Sequence, residues 1–371
     1  MQTGMVIVVG GIVSVGAIVL IWVLFFASKP RLKPRLHVPR PASEVPDPPP
    51  LPIAGRKRRH PSKTACIMYS IWHDNAHQGG SFMQTGSVPT DKWGWWGVPV
   101  VARGSIANYT FMRNRDPELP NHKVIDAHVD LLNQLDVDFI YLDLSNGEQQ
   151  LIVDGAKALC RRYSQLVRRG IATPKVTFFI QGMASIAFFK STFYGGAYDP
   201  GIFATLNGKK LLLVGSNHQA VDRAAWSDGA FEYRRIWGGA VLPKQWSFKE
   251  LPGHNTRAFS VNGRPEQSAA IAAVQSTLMA QNGRVVPSAV GRKNGDTLRT
   301  TFAAAVASGA PIISVGIFNE WCAQNSGTPS APSYTDIYLD EHSACIEPVQ
   351  GSHGSRYFTL TKQLIADWKR I

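Results

Sequence analysis

The sequence predicts an α/β protein, a (β/α)8 TIM-type barrel that is preceded by a single transmembrane helix and a proline-rich basic linker. Short apolar runs alternate with amphipathic helical patterns over about three hundred residues, which is the arrangement of βα units. Polar residues follow the ends of these runs, where a barrel places its functional groups. A long uncharged stretch near the N-terminus predicts the membrane helix. We expect residues 1–28 to be the anchor, 29–63 the linker and 64–371 the barrel.

The predicted anchor is residues 6–28, a stretch that carries no charged side chain. At 1.5 Å per residue it is long enough to cross a bilayer core of about 30 Å, whereas the apolar part of a signal peptide is shorter. Trp22, Phe25 and Phe26 lie near one end, where interfacial aromatic residues are typical. The lipid bilayer is therefore a predicted partner through residues 6–28.

The linker carries most of the net charge of the chain. Residues 29–63 hold ten Lys and Arg against Glu44 and Asp47, so +8 of the overall +13 belongs to this segment. Its many prolines predict an extended spacer, because proline cannot donate to a helix or a sheet. With the charge in a tail and no recognition helix or finger pattern, we expect no nucleic-acid partner.

The side of the membrane that the barrel faces stays open at this point. The basic flank places it in the cytoplasm by the positive-inside rule. The sequon Asn108-Tyr109-Thr110 fits a lumenal or extracellular location instead.

The amino-acid composition excludes some classes of protein. The chain is 44% hydrophobic and 18% charged, which excludes a disordered chain and supplies a sizeable core. The four cysteines include no CxxC pair, so we expect no structural metal site. Asp126, His128 and Asp130 are a weaker metal candidate, because at this spacing His128 does not share a helix face with the two acids.

Five apolar or β-branched runs predict strands that are buried on both faces, at 65–71, 137–142, 175–181, 210–215 and 311–318. Apolar residues recur at helical spacing at 124–135, 152–167, 298–306 and 357–368. The alternative to a barrel is a doubly wound sheet. It is disfavoured as a nucleotide-binding fold, because no GxGxxG follows the first strand and no GxxxxGK[ST] occurs.

In a barrel, polar residues after the strands face the active-site mouth. The residues that this rule selects are His73, Asp74, Asp143, Ser145, Asn146, Gln181, Asn217, His218, Asn319 and Glu320.

The strand at 311–318 ends in Asn319, Glu320 and Trp321, which brings together an amide, a carboxylate and a large ring. Glycoside hydrolysis uses carboxylates to protonate the leaving oxygen and to attack or stabilise the anomeric carbon, and aromatic rings stack on sugars. Asp143 and Asn146 repeat the pattern in the stretch IYLDLSN at 140–146. The structural alternatives are an ion pair or helix cap for Glu320, and a cap or turn for Asp143.

Two further features belong to loops. Trp93, Trp95 and Trp96 lie in a Gly-flanked loop and predict either a sugar-stacking lip or a loop anchor. Cys322 and Cys345 flank an acidic loop, and would form a disulfide in a lumenal domain or remain separate thiols otherwise.

Three stretches resemble the glycoside hydrolase family 99 and family 99-like barrels, which are related to endo-α-mannosidases. They are VDFIYLDLSN at 137–146, GIFNEWCAQ at 316–324 and YTDIYLDEHSACIEPVQGSHGSRYF at 334–358. The resemblance implies that Glu320 matches the glutamate that activates the 2-hydroxyl of the sugar. The second glutamate of the family motif, the general acid/base, is replaced by Ala323, so the resemblance leaves Asp143, Glu341 and Glu347 as candidates for that role.

The predicted function is therefore a membrane-anchored glycoside hydrolase-like enzyme that acts on an oligo- or polysaccharide without a cofactor. Glu320 would be one catalytic carboxylate, with Asp143 or Glu347 as its partner. The alternatives are a non-catalytic glycan-binding or scaffold barrel, favoured by Ala323, and a membrane-bound enzyme of glycan assembly. The predicted sugar-binding residues are Asn319, Trp321, Asn146, His73, Gln181, Trp93, Trp95 and Trp96.

Overall fold

The computed structural model of the chain describes residues 62–71, 98–102, 122–215, 223–237, 245–248, 258–273, 280–281, 284–287, 289–320 and 340–371. All of them belong to the second of two compact units, Lys57–Ile371, while the first unit, Met1–Arg56, lies outside the described residues. None of the helices in this described part is long and apolar enough to cross a membrane. The predicted anchor and almost all of the predicted linker also lie outside it, and they stay predictions.

In chain order the strands are β1 (Thr64–Tyr69), β2 (Val98–Pro99), β3 (Phe139–Leu144), β4 (Lys175–Ile180), β5 (Thr205–Leu206), β6 (Lys209–Gly215), β7 (Ala225–Ser227), β8 (Phe231–Ile236), β9 (Phe259–Val261), β10 (Arg264–Ala270), β11 (Ala280–Gln281), β12 (Arg284–Val285), β13 (Ile312–Ile317) and β14 (Val349–Gln350). The α-helices are α1 (His122–Gln134), α2 (Gln150–Arg168), α3 (Ile186–Tyr194), α4 (Asp296–Ala307) and α5 (Arg356–Arg370).

The main sheet is barrel-like, with the strand order β7-β8-β6-β4-β3-β1-β13-β10-β9 and β5 paired with β6. From β8 to β10 along this order every neighbouring pair is parallel, whereas β5, β7 and β9 pair antiparallel with their neighbours. An isolated parallel bridge adds Trp246 beside Ile236 of β8. The last parallel strand, β13, lies next to the first, β1, as in a barrel.

Side chains connect residues 245–248, here called the Trp246 segment, to β10. Gln267 accepts a hydrogen bond from the Ser247 amide at 3.0 Å and donates one to its carbonyl at 2.7 Å. Glu266 accepts from the Trp246 indole at 2.9 Å and from both Nε and Nη2 of the buried Arg234. These bonds satisfy an arginine whose burial without partners would be costly.

Two cores explain why the strands are apolar on both faces. The outer core lies between sheet and helices and includes Ile140 and Leu142 of β3, packed with the apolar faces of α1 and α2. The inner core is enclosed by the sheet and includes Phe139 and Tyr141 of the same strand. This alternation follows from the two-residue period of a strand, and it assigns the next residue in the series, Asp143, to the inside of the sheet.

The predicted α/β fold with a barrel-like sheet is confirmed, as are the five predicted strands and four predicted helices within a few residues. The sequence patterns missed β8, β10 and α3. Strands β8 and β10 contain charged residues, including Arg234 and Glu266, which form an ion pair with each other. Helix α3 is short and apolar on almost every face, so it lacks the helical period that identifies the others.

Candidate active site

The candidate site is formed where β3, β1 and β13 end, side by side. Tyr69 of β1 pairs with Leu142 of β3, and Met68 of β1 pairs with Ile317 of β13. The next residues, Asp143 after Leu142 and Ser70 after Tyr69, therefore lie at one level, and Asn319 bonds to Ser70 directly. Three neighbouring strand ends thus carry the predicted residues Asp143, Asn319 and Glu320.

A bulge at Gly316 sets the direction in which β13 ends. Between the pairs Cys66–Ser314 and Met68–Ile317, β13 has one residue more than β1. Gly316 takes a left-handed φ of +54°, and a Cβ there would lie 3.4 Å from the Ala270 carbonyl. Bulges redirect the side chains that follow them, so this glycine helps to decide where Asn319 and Glu320 point.

Asn319 fastens the end of β13 to the end of β1. Its Oδ1 accepts from the Ser70 amide at 2.7 Å and its Nδ2 donates to the Ser70 carbonyl at 2.9 Å. Both residues are fully buried. The side-chain amide therefore replaces a step of the strand ladder and fixes the backbone immediately before Glu320.

Glu320 is only 3% exposed and is held from a second direction by Cys345. The Cys345 thiol donates to the Glu320 carbonyl at 2.7 Å, and Cys345 forms a parallel bridge with Ile317. Burial raises the pKa of the Cys345 thiol well above its ordinary value, and the nearby Glu320 charge adds to the rise, so the thiol keeps its proton. Cys345 is a free thiol, and Cys322, its alternative disulfide partner, lies outside the described residues.

Asp143 is 6% exposed and stands at the inner face of the sheet. Its Oδ1 accepts from the Ser145 amide at 3.0 Å, which is the turn contact that the structural alternative predicts. The Asp143 charge also contributes to the rise in the pKa of Tyr141, which is caused first by burial and then by Cys66. The carboxyl group thus lies beside the inner core.

Asn146 and Gln181 follow the neighbouring strands β3 and β4. Gly147 has φ +94°, and a Cβ on it would lie 3.0 Å from the Gln181 Oε1, so the Gln181 amide packs directly on this turn. Asn146 is half-buried, and its carbonyl accepts from the Gln149 side chain at 3.3 Å. The structure therefore brings Asp143, Asn146 and Gln181 to neighbouring strand ends.

Glu347 lies in a different layer from Asp143. It is fully buried, and its Oε1 is 2.9 Å from Nε2 of His128 on α1. The other ring nitrogen of His128 is 2.6 Å from the Tyr69 hydroxyl. Tyr69 and Phe318 belong to the outer core, which places this chain of hydrogen bonds between the sheet and α1. Sequence reasoning placed His128 on the apolar side of α1 but did not connect it to Glu347.

The third candidate acid, Glu341, is exposed, and its carboxylate accepts from the Lys293 amide at 2.8 Å. Beside it lies Arg292, a fully buried residue that the sequence analysis missed. Its guanidinium is 4.1 Å from the centre of the Tyr357 ring, and its Nε donates to the Asp340 carbonyl at 2.6 Å. Burial lowers the pKa of Arg292 in spite of the Asp340 charge.

Several predicted residues lie outside the described part of the chain, among them His73, Trp93, Trp95, Trp96, Trp321 and Ala323. Within the ranges that the structure describes, no group of three or more His, Cys, Asp or Glu residues could hold a metal ion. Asp126, part of the weak metal candidate, is instead held by both Nε and Nη2 of Arg162, at 2.7 and 2.6 Å.

No protein-family model matches the sequence, and no curated protein matches it. Among solved structures, the chain is similar to the GH99 endo-α-mannosidase of Bacteroides thetaiotaomicron in complex with BIS-TRIS-propane. The TM-score is 0.52 at 14% identity, over 83% of this chain and 97% of that one. A second structure of that enzyme gives a TM-score of 0.49 at 16% identity, covering 82% and 97%. A glycoside hydrolase-like protein gives 0.43 at 11% identity, covering 85% and 96%. The resemblance read from the three motifs is thus confirmed at the level of the fold, which this chain shares with a GH99 endo-α-mannosidase.

Proposed function

We propose that this protein is a glycoside hydrolase-like enzyme that cleaves a glycosidic bond in a glycan by carboxylate acid/base chemistry. The observation that carries the proposal is the placement of Asp143 and Glu320. Both are almost fully buried; Asp143 lies in the last two residues of β3, Glu320 follows β13, and these two strands flank β1. They therefore stand at one end of the sheet, the end where barrels of this type carry their active sites.

The spacing of the strands suits a pair of catalytic carboxyl groups. Neighbouring strands are about 4.8 Å apart, so the ends of β3 and β13 are about 10 Å apart across β1. Asp143 extends inwards from one of them, and the Glu320 charge acts on Cys345, an inner-core residue. In this proposal the two carboxyl groups extend toward each other from these positions, which would place them within the range of about 5–10 Å used by glycosidase pairs.

In this proposal the two carboxyl groups have different tasks. Glu320, the match to the family motif, activates the attacking group at the anomeric centre. Asp143 protonates the leaving oxygen, because the alanine at position 323 has no proton to give. Glu347 is the less suitable partner, since its carboxylate is fully buried against His128 in the outer layer.

The sugar would contact the amides of Asn146 and Gln181 beside Asp143. His73, Trp93, Trp95, Trp96 and Trp321 would add stacking rings and polar contacts, and Asn319 would act mainly by fixing the backbone before Glu320. We further propose that the Trp246 segment serves as the sixth strand of a complete (β/α)8 barrel, supported by its parallel bridge to β8.

The membrane anchor at residues 6–28 is part of the same proposal. If it spans the bilayer, the full-length chain stays in membranes washed with alkaline carbonate and is released by detergent. Glycosylation at Asn108 would place the barrel on the lumenal or extracellular side. Release by carbonate alone would show that the chain has no membrane span.

The test of the activity is cleavage of α-mannans and mixed glycans by the full-length chain in detergent, with products identified by mass spectrometry. Glu320→Gln should lower kcat by about 10²–10⁴-fold, because an amide cannot accept a proton from the attacking group. The matched control is Glu148→Gln, which removes one exposed negative charge close to Asp143 in the chain and should leave turnover unchanged. If wild type and Glu320→Gln bind a glycan and neither cleaves it, the protein is the glycan-binding barrel that Ala323 favours.

A further inference from the structure

A chain of three buried polar side chains runs through the outer core behind the candidate site. The Glu347 Oε1 is 2.9 Å from Nε2 of His128, and Nδ1 of the same ring is 2.6 Å from the Tyr69 hydroxyl. All three residues are fully buried. They come from three separate parts of the chain: the end of β1, the middle of α1 and the segment before β14.

The directions of these hydrogen bonds follow from the chemistry of the groups. A carboxylate only accepts, so the proton between His128 and Glu347 belongs to Nε2. Burial raises the pKa of Tyr69 well above its ordinary value, followed by the effects of Tyr163 and Glu347, so its hydroxyl is a donor. In a neutral ring the remaining nitrogen, Nδ1, accepts from that hydroxyl. Each group then has a partner of the correct polarity.

Ring packing fixes the imidazole in place. The Tyr69 and Phe318 rings stack with centroids 5.9 Å apart. The His128 ring meets both of them edge-on, at 5.5 and 5.2 Å. Because the ring is held on two sides, the positions of Glu347 and Tyr69 are fixed relative to each other.

Both ends of this chain of hydrogen bonds lead to the neighbours of Glu320. At one end, Tyr69 precedes Ser70, the residue to which Asn319 is bound. At the other end, the amides of Glu347 and Ile346 donate to the Phe318 carbonyl at 3.0 and 3.2 Å. The same segment carries Cys345, whose thiol donates to the Glu320 carbonyl.

We infer that His128 and Glu347 are positioning residues for Glu320: they hold residues 345–347 against the end of β13 and thereby fix the backbone from which the Glu320 carboxyl group projects. The kinetic part of this inference rests on the proposed function. A buried carboxylate is costly unless it is paired and hydrogen-bonded, and an apolar pair of similar size would often be more stable. What the polar pair adds is a single defined geometry.

The test compares two substitutions of one residue in the full-length chain. Glu347→Gln keeps an acceptor oxygen for the His128 N–H, whereas Glu347→Leu keeps the approximate size and removes the acceptor. We expect Glu347→Leu to lower kcat by about 10- to 100-fold with KM within about threefold, since small displacements of a reacting group cost up to about 10²-fold. Glu347→Gln should restore most of kcat.

A second readout does not depend on activity. Hydrogen exchange measured by mass spectrometry on a peptide covering residues 343–349 reports the amides of Ile346 and Glu347. Exchange there should be at least about tenfold faster in Glu347→Leu and nearly unchanged in Glu347→Gln. Lys369→Met, at the opposite end of the sheet, is the control for general loss of stability and should not show this local change. If Glu347→Leu does not fold, Tyr69→Phe removes only the hydroxyl and should show the same pattern on a smaller scale.

Two results would overturn the inference. Unchanged exchange and unchanged kcat in Glu347→Leu would mean that the hydrogen bonds do not position the segment. A Glu347→Gln variant as inactive as Glu320→Gln would mean that the Glu347 carboxylate itself reacts. If wild type cleaves no glycan, the proposed function fails, and the exchange comparison alone decides whether the positioning exists.

Discussion

Asp138 and Asp143 stand at opposite ends of β3, and their partners differ. At the amino end, the Asp138 Oδ2 accepts from the Ala65 amide at 2.9 Å and from the Lys369 ammonium at 2.7 Å. Lys369 also reaches Asp136 at 3.1 Å, so the last turn of α5 is tied to the start of the sheet. At the carboxyl end, Asp143 accepts from the amide of its own turn, at Ser145.

Acidic side chains thus have different environments at the two ends of the same sheet. At the amino end Asp136 and Asp138 share the Lys369 ammonium, and Asp138 also accepts from the Ala65 amide, so these contacts join β1, β3 and α5. At the carboxyl end Asp143 and Glu320 are almost fully buried, and two of their contacts involve the backbone: the Ser145 amide donates to the Asp143 carboxylate, and the Cys345 thiol donates to the Glu320 carbonyl. Barrels in general have this division between a stabilising face and a reactive face.

The largest expected effect comes from the carboxyl end. Asp143→Asn should lower kcat for natural glycans by about 10²–10⁴-fold, because it removes a general acid. With a substrate whose leaving group needs no proton, such as a glycosyl fluoride, the loss should be within about tenfold. Rates on both substrates, measured for wild type and variant, check this. Equal losses on the two would show that Asp143 is not the acid.

At the amino end, Lys369→Met should destabilise the protein by about 2 kcal/mol. Removing the buried Lys369 ammonium breaks its pairs with Asp138 and Asp136, and the full cost of breaking a buried pair, about 3–5 kcal/mol, is reduced because Asp136 is partly exposed. Chemical denaturation measures the free energy of unfolding. The value of kcat per folded molecule should stay within about twofold of wild type. A tenfold drop would mean that the amino end also affects catalysis.

Gly316→Ala tests the bulge, with a smaller effect that involves both stability and activity. The left-handed φ of Gly316 predicts a loss of about 1–2 kcal/mol in unfolding free energy. Because the bulge directs the residues that follow, kcat should fall more than the folded fraction does. The matched control is Gly309→Ala, which also has a positive φ but nothing within 4 Å of the added Cβ. Equal effects on kcat in both variants would assign the change to backbone strain alone.

The sequence predicted most of what depends on local pattern. Continuous apolar runs identified β1, β3, β4, β6 and β13, and the rule that polar residues follow barrel strands selected Asp143, Gln181, Asn319 and Glu320. What it missed depends on distant partners. Arg234 is compatible with a buried position because it pairs with Glu232 and with Glu266, which lies on another strand. His128 and Glu347 are 219 residues apart in the chain, so no local spacing connects them.

The resemblance to family 99 and the structure support different conclusions about this protein. The motifs single out Glu320, and the fold similarity agrees with the predicted architecture. Neither identifies the second acid, because the family position is occupied by Ala323. The relation of Asp143 to Glu320 follows only from the register of β3, β1 and β13, which a sequence does not display.

The most direct test of the pair is the double variant Asp143→Asn/Glu320→Gln, measured for kcat on a cleaved glycan beside both single variants. Residues that act as one catalytic unit are strongly non-additive. We predict that the double variant is no slower than the slower single variant, within about threefold. If the two losses multiply instead, Asp143 and Glu320 act independently, and the account of a paired carboxylate site is wrong.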